Sequence, residues 1–332
     1  MVNLFPLVSC SYTAAGFQEK DVVLGTTLVD MYAKCGALAK AAQVLSELPA
    51  RNVVSWNALI TGYAQQGQGE EALECFERMQ HEGFPPNDVT FICILKACGS
   101  IGAADKGQQI HNQIKREGFL VKDVAVGNAL VDMYAKCGAL SKAARVLDEL
   151  PIRDVVSWSA LIAGYAQQAQ GVEALNCLER MQCEGLSPNA VTLASTLASC
   201  SRSGQLDEGQ MFLTNMCARY GIVPDLEHQT SMVDLLGRAG EIDKALAVIK
   251  RMPTLNDLPV WLAMLGACRQ FGNVKLGRLA FDNAVQIDKY DAAAYVLMTE
   301  IYAGAGLQED ARIIKAMREK YSSEEETMYY VD

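Results

Sequence analysis

The sequence predicts an all-α chain of stacked helix-turn-helix hairpins, and three observations carry that prediction. The stretch from Gly25 to Asn87 recurs as Gly127 to Asn189, an offset of 102 residues, with 47 of 63 positions identical. Within each block of 102, segments of 31, 35 and 36 residues share one template: an apolar helix, a Gly-containing turn, a second helix and a closing Gly or Pro loop. Apolar residues inside the segments fall at i, i+3, i+4 and i+7, the spacing of one helical face. A period of this length marks a solenoid, because a single hairpin cannot bury its own apolar face and must stack on neighbours.

Composition agrees. Of 332 residues, 50 % are hydrophobic and 20 % charged, which excludes a disordered chain. Charged residues such as Asp132, Lys136 and Lys142 interrupt every apolar stretch before the roughly 18 residues a membrane helix needs. Nine prolines are few, while Ala, Leu, Glu, Lys and Met are abundant, which favours helix over sheet.

Taken in order, residues 1–21 keep only GFQEKD, the ending of a long unit as in GFLVKD at Gly118 to Asp123, and read as a degenerate or truncated copy. Hairpins follow at 22–52, 53–87 and 88–123, then again at 124–154, 155–189 and 190–225, with a last short one at 226–257. In the second, Leu59, Ile60 and Tyr63 share one face, and Ala72, Leu73, Phe76 and Met79 form the stripe of the partner helix. Gly67 and Gly69 relieve the turn between them, Gly83 ends the second helix and Pro86 prevents its continuation. Residues 258–321 read as further helical hairpins, with Trp261, Leu265, Cys268, Leu276 and Leu279 as core, and 322–332 as an acidic tail.

The eleven cysteines recur inside helical patterns, such as Cys35 and Cys137 in AKCGAL, Cys75 with Cys177 and Cys98 with Cys200. They read as small buried hydrophobes in a reducing compartment. No CxxC occurs, and His81, His111 and His228 have no partners at metal spacing, so no metal or other cofactor is expected. No Gly-rich phosphate loop, nucleophile triad or paired-carboxylate pocket stands out either.

LVDMYAKCG (Leu28 to Gly36 and Leu130 to Gly138), VVSWNALITGYAQQGQGEEAL and its copy, and LKAC with GQQIHNQI (Leu95 to Cys98, Gly107 to Ile114) resemble the pentatricopeptide repeat family, narrowly its plant PLS class of alternating short, standard and long repeats. Residues 226–257 resemble the final short repeat of that class and 258–321 its E extension. The resemblance implies a right-handed superhelical solenoid that binds single-stranded RNA, one base per repeat. It implies that the fifth and last residues of each repeat read the base: Thr26 with Asn52, Asn57 with Asn87, Asn128 with Asp154, Ser159 with Asn189, and Thr230 with Asp257. The long repeats offer Ile92 with Asp123 and Ala194 with Asp225, whose apolar member cannot read a base edge.

The duplication bears on this independently. Between copies, Thr26 becomes Asn128, Asn52 becomes Asp154 and Asn57 becomes Ser159, so three of four reading positions differ against 13 of the other 59. An Asn amide offers a donor and an acceptor and reaches a pyrimidine edge, whereas Ser or Thr leaves room for a purine. By analogy with the family code the chain selects 5′-A-Y-n-U-A-n-G-3′. Second residues Val23, Val54, Val89, Ala125, Val156 and Val191 fit both the family's base-sandwiching role and ordinary helix-start packing. Lys34, Lys136, Arg202 and Arg238 recur at the thirteenth place, which the resemblance puts near phosphates.

Net charge is −10, with −6 on residues 1–225 and −4 on the remainder, so no basic domain announces nucleic acid. Modest, salt-sensitive binding is expected. Relatives of the PLS class often carry a DYW deaminase with HxE and PCxxC motifs, and neither is here, so no catalysis by this chain is expected. The resemblance implies an adaptor that selects a cytidine for C-to-U editing in a mitochondrion or chloroplast, with a DYW-type deaminase in trans and multiple organellar RNA editing factors as partners. Exposed positions between Lys275 and Asp291 are candidates for partner docking. Residues 1–21 carry too little basic charge to read as a transit peptide. The competing readings are an RNA stability or processing factor of the same family and a tetratricopeptide-like protein-binding solenoid.

Overall fold

Asn or Asp side chains cap the first helices at residues 52, 87, 123, 154, 189 and 225, and positive-φ glycines turn most of the hairpins of the computed structural model. The structure describes residues 22–252 and 256–329, with side chains to 321, and the degenerate segment at 1–21 lies outside them. Among the described residues there are 19 α-helices and no strand. The chain divides into two compact units, one ending at Gly164 and the other starting at Tyr165.

The first unit contains α1 (Val22–Lys34), α2 (Leu38–Glu47), α3 (Val53–Gln65), α4 (Gly69–His81), α5 (Asp88–Ile101), α6 (Ala104–Glu117), the single turn α7 (Phe119–Lys122), α8 (Val124–Lys136), α9 (Leu140–Glu149) and most of α10 (Val155–Gln167). The first helices of successive hairpins pack in a row, α1 on α3, α3 on α5 and α5 on α8, while α2, α4 and α6 each pack on their own partner and on the next first helix. Small residues set the closeness of that row. A Cβ on Gly62 would lie 2.7 Å from Ala33 Cβ, and one on Gly164 2.7 Å from Ala135 Cβ. Trp56, Leu59, Ile60, Phe91, Ile94 and Leu95 are buried between the layers. Phe76 of one hairpin meets Phe91 of the next edge-on at 6.4 Å between centroids. Gly69, expected to relieve a turn, is instead the buried first residue of α4, where a Cβ would meet Ile101 at 2.6 Å.

The second unit carries the end of α10, then α11 (Gly171–Cys183), α12 (Ala190–Ser203), α13 (Leu206–Asn215) extended by a π-helical turn at Met216–Tyr220, α14 (Leu226–Arg238), α15 (Ile242–Ile249), α16 (Leu258–Phe271), α17 (Val274–Ile287), α18 (Ala292–Gly304) and α19 (Gln308–Tyr329). Its first helices stack in the order α12, α14, α16, α18. Trp261, Leu265 and Cys268 are core, but Leu279 is 43 % exposed. The buried stripe of α17 is Gly277, Ala280, Phe281 and Ala284, and Leu279 falls off that i, i+3, i+4, i+7 series. The last helix runs through the first eight residues of the segment read as a tail.

The expectation that the cysteines are buried is corrected at Cys35, Cys183 and Cys217, which are exposed, and at Cys93 and Cys137, which are half-buried. Cys75, Cys98, Cys177, Cys200 and Cys268 are buried, and burial pushes the Cys98 thiol up to about 12. Cys35 is exposed and Cys137 half-buried, because both sit just past the end of a first helix, in the turn. No described helix is long and apolar enough to cross a membrane.

The turn after α10 differs from its copy. Gly67 adopts φ +73° with nothing within 4 Å of a hypothetical Cβ, so the site needs the backbone freedom of glycine rather than its small size. Its counterpart is Ala169, held at φ 55° in the left-handed region. Substituting A169G is expected to stabilise the second unit by about 1 kcal/mol, read as a higher denaturation midpoint. An unchanged or lower midpoint would show that the turn carries no such strain.

Candidate nucleic-acid interface

The residue closing each repeat is the N-cap of the next first helix. Asn52 Oδ1 accepts from Ser55 N at 2.8 Å, Asn87 Oδ1 from Thr90 N at 3.0 Å, Asp154 Oδ1 from Ser157 N at 2.9 Å and Asn189 Oδ1 from Thr192 N at 2.9 Å. Ser55, Thr90, Ser157 and Thr192 each return a bond from the cap backbone N–H, closing a capping box. Asp123 caps Ala125 N at 2.7 Å and Asp225 caps His228 N at 3.2 Å, while Asp257 makes no capping bond. Capping by itself explains Asp at 123 and 225, where the fifth residue is apolar: Ile92 is half-buried and Ala194 buried. The N-cap preference for Asn and Asp was readable from the recurring Asn-x-x-Ser and Asn-x-x-Thr spacing.

The caps also reach back to the fifth residue of the repeat they close. Asn57 Nδ2 donates to Asn87 Oδ1 at 3.0 Å, and Thr90 Oγ donates to Asn57 Oδ1 at 2.6 Å, so the buried Asn57 amide is fixed at both ends. Asn128 Nδ2 donates to Asp154 Oδ2 at 3.1 Å, leaving Asn128 Oδ1 buried without a partner. Thr230 Oγ lies 3.4 Å from Asp257 Oδ2 but 2.7 Å from Leu226 O, and the shorter contact takes its single proton. The structure thus joins Asn57 with Asn87 and Asn128 with Asp154 by side-chain hydrogen bonds, and sets Thr230 beside Asp257 without a proton to share. Thr26 Oγ is buried with no partner and makes no hydrogen bond to Asn52. Ser159 Oγ donates to Val155 O at 2.6 Å on its own helix, and Asn189 is an exposed cap.

Beside these pairs the second residues stand out. Val23, Val54, Val89, Val156 and Val191 are all exposed, from 45 % at Val89 to 78 % at Val23, and Ala125 is exposed as well. Ordinary helix-start packing is thus ruled out for them. An apolar side chain on the open first turn of α1, α3, α5, α8, α10 and α12 offers a flat contact to a planar group.

The thirteenth-place cations are tied locally. Lys34 pairs with Asp30 at 2.7 Å, Lys136 with Asp132 at 2.7 Å and Arg238 with Asp234 at 2.9 Å, each one turn back on its helix. Arg202 donates to Ala166 O at 2.7 Å. The i, i+4 spacing of Asp132 and Lys136 in the sequence was the signal for this neutralisation. Partly exposed pairs of this kind contribute little to stability but lower the field available to an anionic strand.

Because the last residue is both cap and candidate reader, its loss has two effects. Asn87→Ala is expected to lower stability by about 0.5–2 kcal/mol through the lost cap, whether or not RNA is present. Denaturant unfolding in the absence of RNA checks this, and an unchanged midpoint would contradict the capping role.

The PPR repeat family matches residues 51–100 and 153–202, and the single PPR repeat matches 128–155 and 230–256. Over 309 residues the chain is 41 % identical to the chloroplastic pentatricopeptide repeat-containing protein CRR2 of Arabidopsis thaliana, covering 92 % of this chain and 47 % of that protein. It is 37 % identical over 299 residues to a mitochondrial pentatricopeptide repeat-containing protein of the same plant, covering 90 % of this chain and 47 % of the relative. The chain thus spans about half the length of these relatives. Among solved structures, maize PPR10 in complex with an 18-nt psaJ RNA element superposes with a TM-score of 0.74 at 18 % identity, over 96 % of this chain and 48 % of that one. That likeness fixes the fold as a helical-hairpin solenoid.

Proposed function

This chain is built of pentatricopeptide repeats, and from that premise we propose that it is a sequence-specific adaptor for single-stranded RNA. The observation that carries the reading is the repeated side-chain bridge between a fifth residue and a cap, as in Asn57 to Asn87 and Asn128 to Asp154, set beside an exposed valine. In each, one cap oxygen holds the helix, and the reading assigns the remaining polar groups to a base. Asp154 fixes the Asn128 amide by its nitrogen and leaves Oδ1 buried and unpaired, and the reading pairs that acceptor with the N3–H of a uracil that displaces the cover over it. Asn57 retains one N–H and one lone pair beyond its bonds to Asn87 and Thr90, the complement of a pyrimidine edge. Valines at 54 and 156 cover the flat faces of neighbouring bases.

The finer reading rests on the resemblance and on relatives named as chloroplastic or mitochondrial. It assigns the chain to an organelle, where it selects a cytidine 3′ of 5′-A-Y-n-U-A-n-G-3′ for a DYW-type deaminase and accessory editing factors acting in trans. The chemistry is then the partner's, and this chain supplies only position. Mobility shift with that oligonucleotide and with each position permuted tests the binding step. Binding that discriminates at the read positions and not at the two n positions supports the reading. Binding indifferent to every substitution would overturn it. Loss of editing at a few defined sites in plants lacking the protein is expected; a general loss of transcripts would point to RNA stability instead.

A further inference from the structure

Where α6, α8 and α9 meet, on the second-helix side of the first unit, a cleft of about 170 Å³ is lined by His111, Lys115, Tyr134, Lys142, Arg145 and Glu149. None of these residues belongs to the reading pairs. His111 is only 7 % exposed, and its Nε2 is buried without a hydrogen-bond partner. Its Nδ1 lies 3.1 Å from the hydroxyl of the fully buried Tyr134. Burial pushes that phenol up to about 12, so the hydroxyl keeps its proton and needs an acceptor, and His111 Nδ1 is the one it has. Burial, aided by Lys115, lowers the imidazole below its ordinary range, so the ring is neutral near pH 7. A neutral ring that accepts at Nδ1 carries its proton on Nε2. The cleft therefore holds a buried donor with nothing to donate to, a costly arrangement that a ligand acceptor would relieve.

The surrounding charge has the matching sign. Lys115 is balanced by Glu149 at 2.5 Å. Lys142 lies over the Tyr134 ring at 5.7 Å, and neither it nor Arg145 makes an ion pair among the described residues, which leaves two cations at the cleft of a chain whose net charge is −10. The internal duplication shows that stacking does not demand this set. At the 102-residue offset Leu213 stands for His111, Leu236 for Tyr134 and Ala247 for Arg145, and Leu236 is ordinary core. In the first copy Gln43 occupies the place of Arg145.

We propose that this cleft binds a phosphate-sized oxoanion, with His111 Nε2–H donating to one oxygen and Lys142 and Arg145 neutralising its charge. Arg145 suits such a ligand because its planar fork of donors matches two oxygens at once. An anion held there ties α6 to α9 and so strengthens the stacking of one hairpin on the next.

The test is thermal melting of the full chain in inorganic phosphate against chloride at matched ionic strength, with proton NMR of the histidine ring as second readout. About 10 mM phosphate is expected to raise the melting temperature by roughly 2–4 °C over chloride, for a millimolar site. The His111 ring signal should move with saturation while that of exposed His81 stays. H111L/Y134L, which installs the residues of the second copy and therefore packs, and R145Q, which installs that of the first, are expected to abolish the rise. Phenyl phosphate in place of inorganic phosphate identifies the source: equal binding means a phosphorylated small molecule, weaker binding means free phosphate, and both support the site. An equal rise in chloride, or a rise that survives in both variants, would overturn it.

Discussion

Replacing Thr230 by Asn is expected to convert the 3′-terminal read position from G to U, with a change in relative affinity of tenfold or more. The hydroxyl of Thr230 is spent on Leu226 O at 2.7 Å, and its side chain is shorter than an Asn amide, which the reading matches to the larger purine. An Asn at that place would repeat the Asn128 to Asp154 arrangement, in which the amide nitrogen bonds the carboxylate at 3.1 Å and the amide oxygen is left unpaired. Tenfold corresponds to about 1.4 kcal/mol, within the ~1–3 kcal/mol that an unmatched polar group costs. The substitution leaves Asp257 untouched, which makes no capping bond, so stability should not confound the result. Competition between oligonucleotides that differ only at that base decides it. Retained preference for G would remove Thr230 and Asp257 from the reading set.

Trp56→Ala is expected to cost about 3–5 kcal/mol and to uncouple neighbouring hairpins of the first unit. The indole is fully buried in α3, which packs on both α1 and α5, and Arg78 lies over its ring at 5.5 Å. Truncation empties the centre of the row, and in a stacked array a weak interface lets each side unfold on its own. Denaturant unfolding should show a lower midpoint and a shallower slope. Trp56→Phe separates packing from polarity: the indole Nε1 has no partner, so Phe removes an unsatisfied donor and costs far less than Ala. Equal losses for the two variants would contradict this account of the core.

The fold was legible because its information is periodic. Leu59, Ile60, Tyr63, Ala72, Leu73, Phe76 and Met79 were placed in the core by spacing alone, and all but the half-buried Tyr63 are buried. Leu279 was misplaced because hydrophobicity was counted without phase; its helix buries the residues on either side of it in the stripe. The candidate site was legible in outline, since Asn57 to Asn87 and Asn128 to Asp154 do touch. What stayed hidden was the double duty of the last residue. A cap is specified by backbone N–H groups that exist only once the helix forms, so Asn87 looked like a reader when it is first a cap. The cations at 34, 136 and 238 were read without the Asp one turn earlier that pairs with each, although the i, i+4 spacing marks it. The buried pair of His111 and Tyr134 left no mark at all, because its members are 23 residues apart on helices whose packing no single period reveals.

Selection from a random single-stranded RNA pool tests the central claim most directly. Enrichment of A, then a pyrimidine, any base, U, A, any base and G, in that order and spacing, is the expected result. A bound pool with no preferred base at the positions assigned to Asn57, Asn128, Ser159 and Thr230, or no RNA retained at all, would contradict it.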